Sequence, residues 1–182
     1  ADFAMYSDYS DNDWRNIYGL VDFNYQAPQG VFFDFFNLYT DAEDPFGNLN
    51  QFNLGEQTKR WTNDLQTDLG YAFGDLYKIT GYFNYFKQDY DLERDFTQNF
   101  DQPEVGIGLS RRVMPKTWAF LRYHYGQRNY SDEEPAIGAT SANNADYDAN
   151  RVNLGLKWDA TAKLDGELNL GYVWIDNDNN SD

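Results

Sequence analysis

The chain has 182 residues, one domain's worth, and sets 30 Asp and Glu against 14 Lys and Arg for a formal net charge of −16. That acid excess argues against a nucleic-acid binder, whose phosphate partner selects a basic patch. There is no cysteine, hence no disulfide framework and no thiolate chemistry, and no apolar run approaches the roughly 18 residues of a transmembrane helix.

Read from the start, Ala1 to Tyr9 has the alternation of a strand's tail, with Phe3 and Met5 on one parity, and Asp8 to Arg15 is a polar loop. Asn16 to Ala27 is a strand. Ile17, Gly19, Val21, Phe23 and Tyr25 face one way, and Asn16, Asp22, Asn24 and Gln26 the other. Successive side chains of a strand point to opposite faces, so this period of two is the signature. Pro28-Gln29-Gly30 is a tight turn. Val31 to Tyr39 is a strand whose facing the sequence leaves open, because phenylalanines fall on both parities: Phe33 and Phe35 with Asn37, Phe32 and Phe36 with Asp34. An acidic loop from Thr40 to Lys59 follows, broken by Pro45 and Gly47.

Trp61 to Phe73 sets Leu65, Leu69 and Tyr71 against Asp64, Gln66 and Asp68, and Gly74-Asp75 is a turn. Tyr77 to Lys87 sets Ile79, Phe83 and Tyr85 against Lys78, Thr80 and Asn84. A second acidic loop covers Asp89 to Pro103. Glu104 to Val113 opposes Val105, Ile107 and Leu109 to Ser110 and Arg112, and Met114-Pro115-Lys116 turns the chain. Thr117 to Arg128 opposes Leu121, Tyr123 and Tyr125 to Arg122, His124 and Arg128. Ser131 to Asp148 is the longest acidic loop.

Asn150 to Ile175 is the clearest hairpin. Val152, Leu154, Leu156 and Trp158 share one face opposite Arg151, Asn153 and Lys157. After the turn Ala160 to Lys163, Leu168, Leu170, Tyr172 and Trp174 share one face opposite Asp165, Glu167 and Asn169. Aromatics at both ends of an apolar band suit a strand that crosses a bilayer, since their rings settle at the headgroup level. Asp148, the run RVNLGLKWDATAKL from Arg151 to Leu164, Gly166-Glu167-Leu168 and Leu170-Gly171-Tyr172 together resemble the hairpin of the β-barrel porin type 2 family. That resemblance implies a bacterial outer-membrane location, a lipid bilayer and lipopolysaccharide as surroundings, and a non-enzymatic pore.

Tight turns and long loops alternate along the chain, as in an up-and-down outer-membrane barrel with short turns on one side. The expected fold is therefore all-β: one antiparallel transmembrane β-barrel domain over residues 1–182, of about nine strands, and a segment of a larger barrel. The segment reading rests on an opening inside a strand, an ending at Asn179-Asn180-Ser181-Asp182 that reads as a loop, an odd strand count and the lack of a final aromatic.

The residues expected to face the lumen are Asp64, Asp68, Lys78, Asn84, Arg112, Arg122, His124, Arg128, Arg151, Lys157 and Glu167. Charges of both signs on opposing walls would set a field across a pore; in a narrow barrel they would instead form internal salt bridges. Those expected to face lipid include Leu65, Leu69, Tyr123, Val152, Leu154, Leu156, Leu168 and Leu170. His124 is the sole histidine, and no serine is spaced to make it catalytic. No cofactor is expected. Calcium is the one metal the oxygen-rich loops could hold. Asp176, Asp178, Asn180 and Asp182 have the alternate-oxygen spacing of an EF-hand's start without its glycine or closing glutamate, and Asp89, Asp91, Glu93 and Asp95 form a second cluster. Two further readings stand beside the pore. One is a barrel sheath or scaffold for an envelope secretion or electron-transfer assembly, with protein partners. The other is a soluble β-sandwich that binds carbohydrate through exposed tyrosines.

Overall fold

The computed structural model describes residues 1–5, 13–43, 58–91, 98–131, 146–161 and 164–177. Eight long strands form one antiparallel meander: β2 (Trp14–Gln26), β3 (Val31–Glu43), β4 (Lys59–Phe73), β5 (Tyr77–Tyr90), β6 (Phe100–Met114), β7 (Thr117–Tyr130), β8 (Tyr147–Thr161) and β9 (Leu164–Asn177). A three-residue strand, β1 (Asp2–Ala4), ladders onto the start of β2 through Phe3 and Arg15. Each strand pairs with the next in sequence.

Among the described residues no ladder joins β9 to β1 or β2, so the sheet is open. The closed barrel expected from the sequence is thus not formed by these strands, in line with the expectation that they do not close alone. Nor is there a second sheet among them, which leaves the two-layer sandwich without its partner layer.

The sheet is rolled. Residues mostly of one face, taken from β2 through β8, line a cavity of about 690 Å³, so that face is concave. Its side chains are mostly half-buried, while the convex face is exposed: Leu154 is 59% and Leu170 71% accessible. Phe120, at 3%, is the one large apolar side chain among the described residues that is buried, and it lies on the concave side. The described residues therefore form no conventional core. The polar face is the enclosed one.

The ladder also fixes a stagger. One row of paired residues runs Leu170, Leu154, Leu121, Leu109, Ile79, Tyr71, Val31. Val31 opens β3, whereas Leu170 lies about six residues into β9, so the row drifts by about one residue per strand. With a rise of about 3.3 Å per residue and strands about 4.8 Å apart, that drift inclines the strands by about 35°. Tilts of that size belong to sheets that curl towards closure.

Glycines with positive φ stand in two of the short turns. Gly30 (φ +97°) ends a turn in which its N–H donates to the Ala27 carbonyl at 3.0 Å, and Gly74 (φ +57°) opens the next. A Cβ on Gly30 would come within 2.5 Å of the Ala72 carbonyl oxygen. Gly30→Ala is expected to cost about 1–2 kcal/mol from the left-handed backbone alone, read as a lowered urea midpoint. An unchanged midpoint would mean the turn rearranges freely.

The loop ends differ from the sequence reading. The acidic loops are shorter because the strands run on: Thr40–Glu43 belong to β3, Lys59 to β4, Asp89 and Tyr90 to β5, Phe100–Pro103 to β6, and Tyr147 and Asp148 to β8. There both faces are polar, so alternation fades while backbone pairing persists. Side chains hold these ends. Asn99 Oδ1 accepts from the Tyr90 N–H at 2.6 Å, Asp146 Oδ1 accepts from the Tyr130 N–H at 2.6 Å, and Lys59 pairs with Glu43 at 2.7 Å.

Candidate functional site

All eleven residues expected to face a lumen fall on the concave face. Register places Asp64 and Asp68 of β4, Lys78 and Asn84 of β5, Arg112 of β6, Arg122, His124 and Arg128 of β7, Arg151 and Lys157 of β8 and Glu167 of β9 on that one side. The ambiguous strand is settled as well. Asp34 pairs with Asp68, so Phe32, Asp34 and Phe36 are concave, and Phe33, Phe35 and Tyr39 are convex.

The convex face carries a continuous apolar band with rings at both ends. Tyr71 and Phe73 meet edge-on at 4.8 Å near the short turns. Tyr172 stacks with Trp174 at 5.9 Å, and Tyr39 with Trp61 at 6.1 Å, near the loops. Leu65, Leu69, Tyr123, Val152, Leu154, Leu156, Leu168 and Leu170 all lie on this side, and none points into a packed interior between sheets.

Away from Arg60, which stands on the concave parity at the loop end of β4, most concave-face charges sort by wall. Asp22, Asp34, Asp64 and Asp68 stand on β2 to β4. Lys78, Arg112, Arg122, Arg128, Arg151 and Lys157 stand on β5 to β8. Two acids beside the basic wall, Glu104 and Glu167, are tied up. Glu104 Oε1 accepts from Asn84 Nδ2 at 2.9 Å and from Arg151 Nη2 at 2.9 Å, and lies 3.0 Å from His124 Nδ1. Glu167 pairs with Arg122 at 3.1 Å. His124 also stacks on Tyr82 at 5.0 Å and is only 7% exposed. Its ring is committed to this network.

Sequence reasoning missed the aromatic lining of this face. Lys78 Nζ sits 4.4 Å and Arg112 4.8 Å from the Trp118 ring, and Arg122 lies 3.9 Å from the Phe120 ring. Such contacts keep cations in place without a carboxylate. The rings themselves rest on glycines. A Cβ on Gly70 would fall 2.1 Å from the Phe32 ring, one on Gly155 2.4 Å from Phe120, and one on Gly106 2.7 Å from His124. The available signal was the glycine on the polar parity of each strand, a place where a cross-strand ring can lie flat.

Of the calcium candidates, Asp89 and Asp91 stand at the end of β5 and just beyond it, and Asp176 in β9. Asp178, Asn180, Asp182, Glu93 and Asp95 lie outside the described residues. Among the described residues no cluster of metal-ligating side chains occurs.

Comparison of the chain with protein-family models, with curated proteins and with solved structures returned no match.

Proposed function

We propose that this sheet is wall of a non-enzymatic outer-membrane β-barrel of porin type, whose concave face passes polar solutes. The observation that supports it most is the inversion of the two faces. The broad apolar surface is outward and bare, and the charged surface is enclosed. A soluble monomer rarely exposes an apolar patch of more than a few hundred Å², whereas lipid demands one. The strand tilt of about 35° fits the same reading. The two bare edges, one along β9 and one along β1 and β2, are completed in this proposal by further strands or by neighbouring copies. An open edge is a liability in lipid, where each backbone group must find a partner.

The sheath reading draws on a smaller feature. Tyr18 and Leu20 of β2 and Val173 of β9 are apolar, exposed and on the concave parity at the two edges. An enclosed protein partner would cover them, and so would an inward-folded segment.

Single-tryptophan variants test the orientation. In vesicles that carry brominated lipid, emission from Trp61, Trp158 and Trp174 is expected to be quenched, and emission from Trp118 to respond to aqueous iodide instead. The reverse pattern, or no lipid quenching at all, removes the membrane proposal.

A further inference from the structure

Four concave-face charges line the larger described cavity without forming an ion pair with one another. Asp34 and Asp68 stand on its β3 and β4 side; Lys78 and Lys157 stand on its β5 and β8 side. None of the four has a hydrogen bond or an ion-pair partner among the described residues, in contrast to Glu104, Glu167, Arg122 and Arg151 on the same face.

The acidic side is costly as it stands. Asp34 and Asp68 are directly opposed partners on neighbouring strands. Like charges so placed repel and weaken the pair. A cation between them would remove the repulsion, yet no lysine or arginine of the opposite wall comes within ion-pair distance of either. The basic side has the matching deficit. Lys78 is held against the Trp118 ring, beside Arg112 on the same ring, with no carboxylate to balance either.

The gap between them is of molecular size. At about 690 Å³ it falls within the range of small-molecule sites. Apolar rings floor it, since Phe32, Trp118 and Phe120 are in the lining. A simple anion would gain at Lys78 and Lys157 and lose at the aspartates. A simple cation would meet the reverse. A solute with a positive and a negative end satisfies both walls at once, and the field between the walls orients it across the cavity rather than along it.

We propose that this cavity is a recognition site for small zwitterions of the amino-acid class. The ammonium end is placed between Asp34 and Asp68, and the carboxylate between Lys78 and Lys157. The inference rests on the pore reading, and the experiment keeps the two apart.

The full-length protein is reconstituted in liposomes, and swelling is followed in isosmotic β-alanine, erythritol, succinate and choline. Erythritol, uncharged and of similar size, reports whether a pore exists. The expected result is a β-alanine rate above the erythritol rate by about tenfold, the equivalent of ~1.4 kcal/mol, with succinate and choline both below it. Asp34→Asn/Asp68→Asn should bring the β-alanine to erythritol ratio towards one and raise succinate. Lys78→Met/Lys157→Met should lower the same ratio and raise choline. Erythritol entry with a wild-type β-alanine ratio near one overturns the zwitterion site and leaves the pore. No entry of any solute overturns the pore, and the recognition site with it.

Discussion

Replacing Leu154 by Arg is expected to destabilise the bilayer-embedded protein by about 2–4 kcal/mol, the range for a basic side chain near the midplane of a lipid-facing strand. Leu154 is 59% exposed on the convex face, with Leu170 and Leu121 beside it in register. Trp158 marks the turn-side end of the same strand face, so Leu154 stands well inside the band. The size of the effect separates the two environments. On a protein surface in water the same change falls within about ±0.5 kcal/mol, because an exposed leucine there contributes little. Reversible urea unfolding from lipid vesicles measures the difference, with Asn153→Arg on the concave face as the internal control. A Leu154→Arg loss no larger than that control would place the convex face in water and end the barrel proposal.

The second large effect is expected at Glu104. Its carboxylate receives Asn84, Arg151 and His124, which bring three other strands to one strand's acid. Glu104→Ala removes the acceptor from all of them. Arg151, with 42% of its side chain accessible, recovers hydration; His124, at 9%, does not. The cost is therefore set at about 2 kcal/mol, below the 3–5 kcal/mol of a fully buried broken pair. Glu104→Gln keeps the shape and one acceptor and should lose about half as much, since hydrogen bonds to charged groups are the stronger kind. The same unfolding assay reads both. If Arg151→Ala alone costs as much as Glu104→Ala, and the double variant costs their sum, the two side chains act independently and the network has no energetic reality.

Strand positions and facing were legible because they follow from period two. Every residue from Ile17 to Leu170 that alternation put on the apolar side is convex in the sheet. Val31–Tyr39 was not legible. Phenylalanine on both parities defeats a pattern that only separates apolar from polar. The strand is decided by its neighbour, since Phe32 needs the space above Gly70, which sits on the polar side of β4. The outer strand ends were missed for a different reason. Beyond the rings polar side chains occur on both faces, and the ladder at Phe100 to Asp101 or Tyr147 to Asp148 continues through backbone bonds that leave no trace in side-chain type. The lining charges could be named singly, but not their pairing. Which acid answers which base depends on diagonal reach across strands, as from Arg151 over β7 to Glu104.

The rings that lie on glycines have one more consequence. Sliding a strand by one residue would turn its apolar side to the concave face and its charges outward, and the separation of the two faces would be lost. Sliding it by two leaves every side chain on its proper side, so hydrophobicity is blind to the error, yet the tilt and the girth of the wall would change. A two-residue slip of β3 on β4 would set Phe32 against Asp68 or Ala72 instead of Gly70, and one of β7 on β8 would set Phe120 against Asn153 or Lys157 instead of Gly155. Neither alternative offers a bare backbone for the ring. Each ring and glycine thus works as a vernier mark on its seam, and the register of the sheet is kept by the smallest residues in it.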